Sequence, residues 1–312
     1  MLTPLAIPEA ARGTLQLPDY VSRFLDSRDI SKASRSSYEA KLAAFFAWAK
    51  DAGPITGDDL VGYLRHMRAS GYTAASVSAY IVPVRLFFRW MSQRYGFDDI
   101  TNDDRLRVKA STKRHLRGAL TLDQAQQVLG AVDMKSTTGA RDHALLMLLF
   151  NTGLRGIEVS RAEIGDVQGN RMYIQGKGRT EKDDFVILNQ QTMQALRDYL
   201  ATRKRLTAES PLFASCSNRT TDRTLAARSI QWIVTKHFEA AGVKDALITT
   251  HSTRHTFATV ALQGGADVMQ VKEALRHASV QTTMRYTHML DRVENAAELR
   301  VAIGADTLEV SA

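Results

Sequence analysis

Apolar residues recur along the first third of the chain with the period of a helix. Residues 17–28 are short and amphipathic. Over 31–50, Tyr38, Leu42, Phe45, Phe46 and Ala49 fall on one face. Thr56 followed by Asp58 and Asp59 reads as a helix start, and Gly71 as its stop. The pattern returns over 73–95 with Val77, Ile81, Val84, Phe87, Phe88 and Met91, and Pro83 inside it predicts a kink. Four helices joined by short turns predict a small bundle over residues 1–104, with the aromatic stripes as its core. Its polar faces carry Lys32, Arg35, Lys41, Arg85 and Arg89 as candidate phosphate contacts.

The periodicity lapses between Arg105 and Arg117. Six basic residues stand there without an acid, among them Lys109, Lys113, Arg114 and Arg117, which predicts an exposed basic linker over 105–118. A second domain follows over 119–312. Thr121 opens a helix with Leu122, Ala125, Val128 and Leu129 on one face, and residues 141–151 form a strongly apolar helix that Gly153 ends. Residues 171–175 alternate, Gly-Lys-Gly turns the chain, and 185–188 returns, a β-hairpin that presents Lys177. Helices are predicted over 190–205, 226–241, 252–263 and 268–275. A last amphipathic helix, about 289–303, carries Leu290, Val293, Ala297 and Val301.

Composition narrows the class. Hydrophobic residues make up 44% of the 312, enough to bury a core. The longest apolar stretch, 144–150, falls well short of the ~18 residues that span a bilayer. The opening Met-Leu-Thr-Pro-Leu-Ala-Ile-Pro-Glu lacks the charged start and long apolar middle of a signal peptide. A single cysteine, Cys216, excludes an internal disulfide and a multi-cysteine zinc site. The expected setting is reducing and cytoplasmic, in a bacterial cell with access to the nucleoid. The net charge is +8, and residues 1–118 carry 18 basic against 12 acidic side chains. That surplus favours a polyanion, through phosphate neutralisation and counterion release.

One ordered set of residues carries chemistry. Arg155 stands in Thr-Gly-Leu-Arg-Gly-Ile-Glu, Lys177 in Gly-Lys-Gly, and His251 with Arg254 in His-Ser-Thr-Arg-His. His277 stands in Leu-Arg-His and Tyr286 in Met-Arg-Tyr-Thr-His. Cutting a phosphodiester without a metal needs fixed donors for the charge on the non-bridging oxygens, and arginine offers a planar fork that stays protonated. It needs a nucleophile in line, a group to take the nucleophile's proton, and an acid such as lysine for the leaving oxygen. Glu158, three residues after Arg155, is placed to orient it by a salt bridge. His251 and Arg254 share a helical face, and His255 beside them reads as a packing or hydrogen-bonding residue. Lys182, and less so Arg179, compete with Lys177 for the acid.

These words, in this order, resemble the tyrosine recombinase (phage integrase) family over roughly residues 15–300. Two positions depart from its pattern: Gly156 follows the first arginine, and Arg276 replaces a usual glycine, where it alters the turn or adds a phosphate contact. The resemblance implies a mainly α protein with a small β-sheet. An N-terminal helical core-binding (SAM-like) bundle and a catalytic domain would form a C-shaped clamp on duplex DNA. Arg155 and Arg254 would clamp the scissile phosphate, Lys177 would be the general acid, and His251 and His277 would assist. Tyr286 would form a 3′-phosphotyrosyl link, with no metal, ATP or other cofactor. Arg179 and Arg276 join the candidate DNA contacts. Four protomers would exchange strands through a Holliday junction, the segment 289–303 docking on a neighbour. An accessory protein or second recombinase is a possible partner, and no membrane is implied. The compact length resembles Xer-type or small transposon and plasmid recombinases. Competing readings are a type IB topoisomerase-like activity, a non-catalytic DNA-binding protein of the same fold, and a hydrolase built on Cys216.

Overall fold

The structure, a computed structural model, describes residues 17–49, 54–108, 118–135, 137–176, 181–215 and 223–289. The chain divides into two compact units, Met1–His115 and Leu116–Ala312.

The first unit is built by its caps and its aromatic residues. Helix α1 spans Leu17–Asp26, α2 Lys32–Trp48, α3 Gly57–Ala69 and α4 Ala74–Tyr95. The Ser31 hydroxyl accepts from the Ser34 N–H, and Thr73 from Ser76, both at 3.2 Å. Asp59 reaches back to the Thr56 N–H at 2.8 Å and opens α3. Gly96 closes α4 in the left-handed conformation, φ 71°. Pro83 lies buried within α4, which runs on through it at the loss of one backbone hydrogen bond. Edge-on ring pairs such as Phe45–Tyr63 at 5.1 Å and Phe24–Phe87 at 5.6 Å fill the core.

The basic segment after this bundle begins later than its composition predicts. A 3₁₀ turn forms at Asp104–Leu106, Leu106 is fully buried in the aromatic core, and Val108 packs against it. Arg105 pairs with Asp58 and Asp103 at 2.8 and 2.6 Å. Two apolar side chains anchor these residues, too few to show as periodicity. Lys109, Lys113, Arg114 and Arg117 lie outside the described residues.

The second unit is organised around one apolar helix. Its elements are α5 Leu122–Gly130, α6 Thr137–Thr152, α7 Gly156–Ser160, β1 Val167–Gln168, β2 Arg171–Ile174 and β3 Asp184–Ile187. There follow α8 Gln190–Ala201, α9 Ala227–Ala240, α10 His251–Gln263, α11 Val268–Leu275 and α12 Val280–Thr283. Ala144, Leu145, Leu146, Leu148, Leu149 and Phe150 of α6 are all buried, so this stretch of the helix is apolar on every face and central. Buried Asp142 accepts from Arg141 at 2.7 Å and lies 3.1 Å from His237 Nε2, tying α6 to α9.

Three antiparallel strands in the order β1-β2-β3 form the sheet, with Val167 opposite Met172 and Met172 opposite Val186. Met172, Ile174 and Val186 face the core, whereas Phe185 and Ile187 are exposed. Strand β1 is two residues long, too short to predict by alternation. Leu122 also departs from expectation: in the first turn of α5 it is 53% exposed. Helix α8 stops at Ala201 rather than 205, where Arg203 donates instead to the Pro211 carbonyl at 2.7 Å. Among the described residues no helix is long and apolar enough to cross a membrane.

Gly153 ends α6 at φ 61°, and a Cβ there would lie 2.7 Å from Leu275 Cδ2 and 2.8 Å from Phe257 Cδ1. Gly153→Ala therefore meets both backbone strain and a crowded wall. It is expected to lower stability by about 1–3 kcal/mol, measured by chemical denaturation; an unchanged midpoint would refute this account of the turn.

Candidate active site

Arg155 immediately follows the turn that ends α6 and stands at the N-cap of α7. Its backbone N–H donates to Glu158 Oε2, and its Nη1 to Oε1, both at 2.8 Å. The Glu158 side chain is completely buried, while Arg155 keeps 27% of its side chain exposed. The same carboxylate accepts from Arg276 Nη2 at 2.9 Å. Burial pushes the Glu158 carboxyl up, but Arg276 and then Arg155 more than offset it and hold the group below the usual carboxylate range.

Arg276 follows the last residue of α11 at φ 53° and ψ 47°. This left-handed conformation costs a side chain with a Cβ roughly 1–2 kcal/mol. Its Nη1 donates to the Ala274 carbonyl at 2.7 Å, and its Nε lies 3.8 Å from Asp184 Oδ2. With 10% of its side chain exposed, Arg276 is held inside the protein by Glu158 and the Ala274 carbonyl.

Arg254 is buried on α10. Its Nη1 donates to the Gly153 carbonyl at 2.6 Å and its Nη2 to the Leu275 carbonyl. Both acceptors stand at helix C-termini, of α6 and α11, where the backbone carries partial negative charge. Burial, reinforced by Arg155, pushes the Arg254 guanidinium down to about 9, so it remains a cation at neutral pH. Three arginines therefore gather around one carboxylate, and the surplus positive charge is preorganised for an anion.

The tyrosine stands against this cluster. It lies in a 3₁₀ segment, Met284–Met289, and is 8% exposed. Its hydroxyl is 2.8 Å from His255 Nδ1, and which atom donates follows from the tautomer. The His251 ring meets His255 edge-on at 5.3 Å. His277 stacks on Tyr286 at 6.4 Å, and its Nδ1 pairs with buried Thr283 Oγ1 at 2.8 Å. Burial, then the charges of Arg254 and Arg155, push His277 down to about 4, which leaves a neutral ring at physiological pH. Burial raises the Tyr286 phenol above its ordinary value, and Arg254, Arg285 and Arg155 recover only part of that rise. A cleft of about 390 Å³ opens beside Arg155 and His251, with Gly156, Gln231 and Thr250 in its wall.

The structure thus brings Arg155, Glu158, His251, Arg254, His277 and Tyr286 together. Lys177 and Arg179 lie outside the described residues, as do Cys216 and residues 290–303. Lys182, the competing lysine, donates to Glu163 at 2.6 Å and to Asp166 at 2.8 Å. Burial lowers its ammonium, but those two carboxylates outweigh burial and hold it above its usual value. In the first unit Lys32 and Arg89 are exposed, Arg35 pairs with Asp26 at 2.7 Å, Arg85 is half-buried, and Lys41 Nζ stands 6.0 Å from the Tyr80 ring. Sequence reasoning passed over Thr283 and gave His255 no part with the tyrosine. His255 was detectable as the i+4 neighbour of His251 on one helix face; Thr283 had no signal of its own. Among the described residues no group of three or more His, Cys, Asp or Glu could hold a metal ion.

A helical bundle precedes a helical unit with a three-stranded sheet, and the second unit sets a buried tyrosine in a cage of arginines and histidines. Residues 119–292 match the phage integrase family, and residues 17–94 its N-terminal SAM-like domain. The chain belongs to the phage integrase family. It is 31% identical to tyrosine recombinase XerC of Thermodesulfovibrio yellowstonii, over 86% of this chain and 91% of that protein. It is 27% identical to tyrosine recombinase XerD of Listeria monocytogenes serotype 4b, over 88% of this chain and 93% of that one. The fold is shared with XerH bound to a palindromic difH substrate in a post-cleavage complex, at TM-score 0.70 and 22% identity over 91% of this chain and 84% of that one. A lambda integrase dimer bound to a COC′ core site aligns at TM-score 0.67 and 16% identity, over 95% and 100% of the two chains.

A His277 held near 4 does not titrate at neutrality. NMR of the ring should show no protonation between about pH 5.5 and 8, where an unperturbed histidine titrates near 6.5. Its folded value is depressed, so the unfolded chain binds the proton first, and this group's contribution to stability is lost as pH falls from about 6.5 to 4. A midpoint above 6 would contradict the assignment.

Proposed function

We propose that the chain is a site-specific DNA recombinase that cleaves and rejoins duplex DNA through a 3′-phosphotyrosyl link. The observation that carries the reading is the Tyr286 hydroxyl, 2.8 Å from an imidazole nitrogen and facing a cluster of arginines around one buried carboxylate. Family membership and the DNA-bound neighbours support the same partner, a duplex recombination site.

In this reading the Tyr286 oxygen attacks the scissile phosphorus in line. The new bond is phenolic O–P, and the bond to the 5′ oxygen breaks. His255 is the nearest acceptor for the phenol proton, with His251 beside it. Arg155 and Arg254 donate to the non-bridging oxygens, and neutral His277 adds an N–H donor from its Nε2 when Nδ1 accepts from Thr283. Bound phosphate also supplies the charge that the three arginines lack. Lys177 protonates the leaving 5′ oxygen, as the resemblance implies. A 5′ hydroxyl from the partner duplex reverses these steps, so the phosphoester energy is kept and neither ATP nor a metal enters. Four protomers on two sites complete the exchange, in the bacterial nucleoid. Lys32, Arg85, Arg89 and the basic residues from Lys109 to Arg117 serve the DNA backbone, where they fix register without reading sequence.

A nicked suicide duplex drawn from DNA flanking the gene tests the chemistry. Wild type should form a covalent protein–DNA adduct in EDTA without ATP, and Tyr286→Phe should form none at equal DNA binding. Tight binding without an adduct would point to a non-catalytic binder. Equal relaxation of plasmids lacking the site would point to a topoisomerase. Removal of residues 289–312 should leave binding to one site intact and reduce the synaptic tetramer seen by native electrophoresis; unchanged synapsis would assign that segment to packing within its own protomer.

A further inference from the structure

Arg276 carries a left-handed backbone, φ 53°, at a helix end that favours glycine. Among the described residues Arg205 is the only other non-glycine at positive φ. Strain of this kind at a site points to the task of the side chain that bears it. Arg276 Nη2 grips Glu158 Oε2 at 2.9 Å, and Arg155 Nη1 grips Oε1 of the same carboxylate at 2.8 Å. The two arginines are far apart in sequence and hold opposite oxygens of one fully buried group. The second Arg276 nitrogen is fixed on the Ala274 carbonyl, so its fork cannot follow Glu158 if that side chain rotates.

We infer that Arg276 is a positioning residue: by holding Glu158 from its far side it keeps the Arg155 guanidinium at the mouth of the cleft. This rests on the reading of Arg155 as a phosphate-binding group. Without Arg276, Glu158 is a buried carboxylate with one cationic partner in place of two. Arg155, the partner that remains, is then drawn inwards to serve both oxygens and donates less to a phosphate. A lysine in its place keeps the charge but not the planar fork.

Arg276→Lys and Arg276→Gly provide the test, the first retaining a cation for Glu158 and the second releasing the backbone strain. Both variants should bind the suicide duplex as wild type does. At saturating protein, single-turnover adduct formation should fall about 10- to 100-fold, less for the lysine. The ¹⁵N–¹H signal of Arg155 Nε, identified by its loss in Arg155→Lys, should shift in both variants. That signal is read without DNA, so it judges the positioning role even if wild type forms no adduct and the functional reading fails. An unmoved Arg155 signal overturns the inference. So does weaker DNA binding with an unchanged rate at saturation, which would make Arg276 a direct DNA contact.

Discussion

A single buried carboxylate organises the catalytic unit. Glu158 has no exposed side-chain surface, and a lone ion in that place would be prohibitively costly. It is tolerated because Arg155 and Arg276 take its two oxygens. The balance of charge then tips the other way. Arg254 is close enough to feel Glu158 and both other arginines, and it finds its own acceptors at two helix ends. One anion and three cations make a site that is electrostatically incomplete until a second anion arrives. In the proposed reaction a phosphodiester meets that need, which would give ground-state binding and stabilisation of a charged transition state a common origin.

The apolar packing delivers the groups to this carboxylate. The buried flank of α6 fixes the position of Gly153, and the turn there aims Arg155 at the cleft while offering a carbonyl to Arg254. On the opposite side, Ala258 and Leu262 of α10 pack with Val271 and Leu275 of α11, and Tyr286 joins the same cluster. The tyrosine is therefore placed by its ring, with its hydroxyl against His255. The burial that places it also raises its pKa, and the arginines beside it offset part of that rise. Burial of the ring and ionisation of the phenol pull against each other, and the nearby cations mediate between them.

Much of this was legible along the chain, because it depends on neighbours a few residues apart. Helical period exposed α1–α4 and α6. Caps at Thr56 and Thr121 marked helix starts, since a side-chain oxygen that satisfies an N–H two or three residues on is a local event. The ordered words around Arg155, His251, Arg254, His277 and Tyr286 identified the family. The elements that escaped were those with too few residues to show a period: the 3₁₀ turn that buries Leu106, the five-residue α7, the two-residue β1, and the 3₁₀ segment that carries Tyr286.

The sequence by itself determined which chemical groups are present, that helices dominate the chain, and that Glu158 lies within reach of Arg155. Only the tertiary structure decided that Arg276 faces inward to Glu158, that His255 touches the phenol, and that Lys182 is held by acidic neighbours of its own. Each of these contacts joins residues that are distant in sequence. Pairing at such range is set by how helices and strands pack and by where a buried charge must find a partner, neither of which leaves a periodic mark on the chain.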